Sequence, residues 1–115
     1  MAKVTIVYWK EIPVQIKAVD DSGQLSQPLD PRFQDGVDKV SLFDRSSGAD
    51  EYLEGWAIGE AFDVEGTARE AAAHTAKRFN NGFPEDFVSR IRELHKPGER
   101  DPRPGAIDNW IREND

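Results

Sequence analysis

The sequence predicts an α+β domain: a three-stranded, mainly antiparallel sheet with three helices on one face, in the order ββαβαα, plus a flexible C-terminal tail. Three observations predict it. Residues 3–9 and 13–19 alternate with the period of two that places successive side chains on opposite faces of a strand. Residues 31–43, 67–82 and 84–95 instead carry apolar side chains three and four apart, bounded by residues that start and stop helices. The chain has 115 residues and no cysteine, so it must close its core by burial alone. A single domain of that length buries about 65% of the surface its extended chain exposes.

The first strand places Val4, Ile6 and Tyr8 on one face and Thr5, Val7 and Trp9 on the other. β-branched and aromatic residues fill both faces, which predicts a central strand covered on both sides. Pro13 opens the second strand at a position that gives up no ladder N–H. There Val14, Ile16 and Ala18 point inward and Gln15 and Lys17 outward. Asp20-Asp21-Ser22-Gly23 is a turn, because Asp side chains bond the nearby backbone and Gly accepts positive φ. Gln24–Gln27 extends the strand beyond it.

Asp30-Pro31 starts the first helix, with Phe33, Val37 and Val40 on its buried side. Tyr52–Phe62 is predicted as the third strand, with Trp56, Ile58 and Phe62 on one face and Gly55, Ala57, Gly59 and Ala61 on the other. So small a face permits close approach by a helix or another backbone. Thr67-Ala68-Arg69-Glu70 is a capping box for the second helix, whose stripe is Ala68, Ala71, Ala72, Thr75 and Phe79 and whose end is Asn81-Gly82. Pro84 opens the third, with Phe87, Ile91 and Leu94 inward, and Pro97-Gly98 stops it. The domain is therefore expected at 1–96, and 97–115 as a polar mobile tail. That tail holds one apolar group, Ile107, Trp110 and Ile111, at the spacing of one helical face.

Charge narrows the function. Residues 1–66 hold 6 basic and 13 acidic side chains, whereas 67–115 hold 9 of each. An acidic front half repels phosphate, which argues against a nucleic-acid partner or an anionic membrane surface. No apolar run approaches the roughly 18 residues of a membrane span, and the N-terminus lacks a secretory cleavage pattern, so a cytoplasmic location is expected.

Chemical signatures are sparse. Carboxylate pairs such as Asp20/Asp21, Asp50/Glu51 and Glu85/Asp86 fall at turns and helix starts, where structural roles account for them. His74 and His95 stand outside metal-ligand spacings, and His95 suits the C-terminal end of the third helix. Ser22, Ser46 and Ser47 have no recognisable base, and Gly55 and Gly59 form no phosphate loop. No catalytic, cofactor-binding or metal-binding residue is assigned, and no cofactor is expected. Trp110 stands in polar surroundings, so Ile107, Trp110 and Ile111 either fold back or anchor a short recognition helix in a protein partner. Lys10 and Glu11, between a Trp and a Pro in the first turn, complete the candidate partner-binding set.

The opening Val4-Thr5-Ile6-Val7-Tyr8-Trp9-Lys10-Glu11-Ile12-Pro13-Val14-Gln15 resembles the start of a small bacterial domain, the virulence-factor family, which is similar to a segment of conserved virulence factor C. Arg32-Phe33-Gln34, Val37-Asp38 and Tyr52-Leu53-Glu54-Gly55-Trp56 extend the resemblance over about residues 1–95. It implies no enzymatic activity and no catalytic residues. Fusion to helical-repeat modules in the larger protein implies a non-catalytic accessory or protein-interaction role. Neighbouring folate and corrinoid genes imply the alternative, a small enzyme or ligand-binding protein of one-carbon metabolism, with a pocket around Lys10, Glu11 and Trp56.

Overall fold

A computed structural model describes residues 1–112. The chain runs β1 (Ala2–Trp9), β2 (Ile12–Asp20), β3 (Gly23–Pro28), α1 (Pro31–Phe43), α2 (Ala49–Glu54), β4 (Trp56–Ile58), β5 (Phe62–Val64), α3 (Ala68–Gly82) and α4 (Phe87–His95), then a 3-10 turn at Asp108–Trp110. The fold is α+β with an antiparallel sheet, but the sheet has five strands rather than three. Its order is β3-β2-β1-β4, and β5 pairs with the other end of β1. β1 is therefore central.

The face carrying Val4, Ile6, Tyr8, Ile16 and Ala18 is buried beneath α1 and α3, and α4 packs against α1. Phe33, Phe83 and Phe87 join these layers, with Phe33 stacked on Phe87 at 5.5 Å and edge-on to Phe83 at 5.3 Å. Helix α3 begins as the capping box requires: Thr67 accepts from the Glu70 N–H, and Glu70 accepts from the Thr67 N–H. The β2–β3 turn adds a further acceptor, Asp20 Oδ2, for the Ala68 N–H at 2.7 Å.

Three expectations are corrected. The second face of the sheet is not covered: Thr5 and Val7 are half-buried, Lys17 is exposed and Val19 is 46% exposed. β-branched residues satisfy strand geometry there without demanding a second layer. The predicted strand 52–62 divides into α2 and the two short strands β4 and β5. Asp50 and Glu51 favour a helix N-terminus, and the Trp9 indole N–H ties down the Tyr52 carbonyl at 2.8 Å. The small face meets both side chains and backbone of β1: a Cβ on Gly55 would lie 2.5 Å from Trp9 Nε1, and one on Gly59 2.8 Å from Tyr8 Cε2 and 3.5 Å from the Ile6 carbonyl oxygen. Lastly, the described part of 97–115 lies against the domain, with Ile107 only 5% exposed in the core.

The register explains how β1 ends. Val7 is opposite Gln15 but Tyr8 is opposite Pro13, so Val14 is an extra residue in β2. This bulge re-aims the strand ends, and Tyr8, Trp9, Ile12 and Pro13 are all buried. Lys10 follows at φ 52°, unusual for a residue with a side chain, and its N–H reaches the Gly55 carbonyl at 2.7 Å.

Candidate functional site

The β1–β2 turn and the C-terminal segment meet in a buried charge cluster. Arg100 Nε and Nη2 donate to Glu11 Oε2 and Oε1 at 2.6 and 2.7 Å, while Nη1 donates to Asp44 Oδ2 at 2.9 Å. Lys10 Nζ donates to the same Asp44 oxygen at 2.8 Å and to Ser46 Oγ at 2.5 Å. Burial alone would raise the Asp44 carboxyl, but hydrogen bonds from Lys10, Ser46 and Arg100 outweigh it and hold the group below the usual carboxylate range.

Ser46, Lys10 and Asp44 have the outline of a nucleophile, base and orienting acid, and Lys10 and Ser46 border a cavity of about 400 Å³. Their hydrogen bonds run the wrong way for that chemistry. A general base must accept the hydroxyl proton, whereas Lys10 donates to Ser46 Oγ and is ion-paired with Asp44. The cluster is built to hold charge in place.

A second group lies beside it. Tyr8 OH donates to Asp108 Oδ2 at 2.5 Å, and the other carboxylate oxygen, Oδ1, is buried with no hydrogen-bond partner among the described residues. Burial first, then the bond to Asp108, pushes the Tyr8 phenol far above its ordinary value. Burial also raises the Asp108 carboxyl, against the Tyr8 hydrogen bond and the Arg78 charge. These groups open on a cleft of about 250 Å³ whose walls include Phe62, Phe79, Ile111, Glu60 and Arg78.

The five residues expected to meet a partner are each engaged within the chain. Glu11 is fully buried against Arg100, and Lys10 is held by Asp44 and Ser46. Ile107 is core, whereas Trp110 is half-buried with the Arg90 guanidinium 5.6 Å from its ring. Ile111 packs at Gly82, whose carbonyl accepts from the Arg112 N–H at 2.8 Å. Asp44, Arg100 and Asp108 escaped sequence reasoning, because partners such as Glu11 and Arg100, 89 positions apart, leave no local spacing signal. Among the described residues no three His, Asp or Glu side chains gather as a metal site, and no helix is long and apolar enough to cross a membrane.

The family model described as virulence factor matches residues 7–92. The chain belongs to the virulence factor family. The match spans β1 from Val7 through most of α4 and includes Lys10, Glu11, Asp44 and Ser46. Arg100 and Asp108, which close the two clusters, lie beyond it. No curated protein and no solved structure matched the chain.

Proposed function

We propose that this virulence factor family chain is a non-catalytic accessory domain that acts by binding another protein. The observation that carries the reading is the surface made by α2, β4 and β5. From Ser46 to Ala68 the chain holds Asp50, Glu51, Glu54, Glu60, Asp63 and Glu65 and no lysine or arginine. All six carboxylates are exposed. Among them Leu53 is 67%, Ile58 63% and Phe62 37% exposed. Apolar side chains left in water among charges of one sign support a contact surface for a basic partner. β4 ends the strand order, so its outer backbone groups are also open to pairing.

The one-carbon alternative has its pocket around Lys10, Glu11 and Trp56, and the cavity that Lys10 borders, about 400 Å³, falls within the roughly 300–1,000 Å³ usual for small-molecule sites. Lys10 and Glu11 are committed there to Asp44, Ser46 and Arg100, which favours the protein-binding reading.

Photocrosslinking tests the proposal. A photoreactive amino acid at Ile58 or Phe62, in the full chain expressed in its own host, is expected to trap one discrete protein. The same probe at Leu42, 70% exposed on α1, is expected to trap none. Indistinguishable adducts from all three positions, or none from Ile58 and Phe62, would overturn it.

A further inference from the structure

We propose that the partner adds an extended segment to the outer edge of β4, and that this segment reads apolar, lysine or arginine, apolar along three consecutive residues. The proposal rests on the protein-binding reading above and names how that partner is recognised.

The ladder shows which groups of β4 are free. Lys10 N–H donates to the Gly55 carbonyl at 2.7 Å and Gly59 N–H to the Ile6 carbonyl at 2.9 Å. The antiparallel alternation between those two bonds turns the main-chain groups of Ala57 toward β1 and those of Trp56 and Ile58 away. Trp56 and Ile58 therefore present N–H and C=O outward, and no hydrogen bond to another described residue is formed there. An extended segment running antiparallel to β4 can exchange two bonds with each of them. The register of β5 on β1 is offset by one residue from that of β4, with Val7 opposite Ile58 but Val4 opposite Phe62. The extra residue interrupts the edge and limits the added strand to β4.

Side chains of the added strand alternate between the two faces of the sheet. Those opposite Trp56 and Ile58 fall on the face of Val7, beside a half-buried Trp56 and an Ile58 that is 63% exposed, where apolar groups cover apolar surface. The residue between them lies opposite Ala57 and turns to the other face. There Gly55 and Ala57 line the cavity of about 400 Å³ together with Pro102, Pro104, Glu51 and Glu54. The two glutamates are exposed, while the Lys10 ammonium that borders the same cavity is already bonded to Asp44 and Ser46. Free carboxylates at the rim select a cation, and the prolines and Ala57 offer apolar surface to its methylene stem. A second copy of the chain fits poorly. Its own Trp56-Ala57-Ile58 has no base at the centre, and antiparallel pairing of the two edges would bring Glu54 of one copy near Glu60 of the other.

The test is an NMR titration of the full ¹⁵N-labelled chain with the capped peptide Ser-Thr-Val-Lys-Val-Thr-Ser. Two controls accompany it: the same peptide with glutamate at its centre, and the lysine peptide N-methylated at both valines, which keeps the side chains and removes the donors. The lysine peptide is expected to give saturable shifts and slowed solvent exchange at the amides of Trp56 and Ile58. The glutamate peptide should bind at least about tenfold more weakly, and the methylated one not at all. Ile58→Pro removes an outward N–H without touching the β1 ladder and should abolish binding. Glu51→Gln with Glu54→Gln, both on the exposed rim, should bring the lysine and glutamate peptides to near-equal affinity, and serves if Ile58→Pro disturbs the spectrum elsewhere. No saturable shift with the lysine peptide, equal affinity for the glutamate peptide, or undiminished binding of the methylated one would overturn the proposal. Slow exchange at Trp56 and Ile58 in the free chain that vanishes on dilution would also overturn it, because a second copy would then hold the edge. If crosslinks from Ile58 persist while the lysine peptide fails to bind, the strand assignment alone falls. If the peptide binds but no crosslink forms, the edge stands and the protein-partner reading falls.

Discussion

Arg100 meets Glu11 as a two-pronged fork, Nε to Oε2 at 2.6 Å and Nη2 to Oε1 at 2.7 Å, with side chains only 7% and 1% exposed. Two charges this deep are stable only together. Arg100 also bonds Asp44, so the C-terminal segment is fastened to both the β1–β2 turn and the end of α1.

Breaking this fork should be severe. Arg100→Ala leaves Glu11 charged and buried, a change that costs about 3–5 kcal/mol in comparable settings. Replacing both, Glu11→Leu with Arg100→Met, should recover most of that loss, because packed apolar groups need no counter-charge. Urea unfolding of the wild type, the single and the double variant checks both outcomes.

Acid should loosen the same cluster. The folded Asp44 carboxyl lies below its ordinary 3.8. Its contribution is therefore fully present above that value and is lost as pH falls toward the folded pKa. Asp44→Asn should lower stability at neutral pH and flatten the acid limb of the stability curve. Thermal unfolding from pH 7 to pH 2 would show whether it does.

Asp108 should behave with the opposite sign. Burial raises its folded pKa, so the native state holds the proton more tightly than the unfolded chain. Stability from this group is present below the unfolded value and declines as pH rises through the folded one. Asp108→Asn should thus compare more favourably with wild type at pH 7 than at pH 3, in paired denaturation curves at the two pH values.

Gly36 offers a test of packing against propensity. In an exposed helix interior, Gly→Ala gains about 0.5–1 kcal/mol. Here a Cβ would sit 2.5 Å from Phe87 Cζ and 2.7 Å from Cε2, inside the α1–α4 contact. Gly36→Ala should destabilise instead, by about 1–3 kcal/mol as overpacked cores do. A rise in melting temperature would show that Phe87 yields without cost.

Removing residues 97–115 combines several of these effects. It deletes the Arg100 fork, the Asp108 acceptor of Tyr8, and Ile107 from the core. The truncated chain should lose more stability than Arg100→Ala alone. A melting temperature equal to wild type would show that the segment is not part of the folded unit.

The sequence by itself determined the α+β class, the β1–β2 pair, the three longer helices and the capping box at Thr67–Glu70. Each is written in local terms: a period of two or 3.6, a capping side chain, a proline or a glycine at an end. Its opening motif also pointed to the virulence factor family. Only the tertiary structure decided how Tyr52–Phe62 divides, because Trp9 and Tyr8 fill the space over Gly55 and Gly59 and local propensity is silent about that. It likewise decided that the described stretch after Pro97, up to residue 112, lies against the domain. Glu11 and Arg100, or Tyr8 and Asp108, have no spacing relation along the chain. They become partners when the bulge at Val14 and the closing segment bring them to one end of the sheet, where burial makes each one require the other.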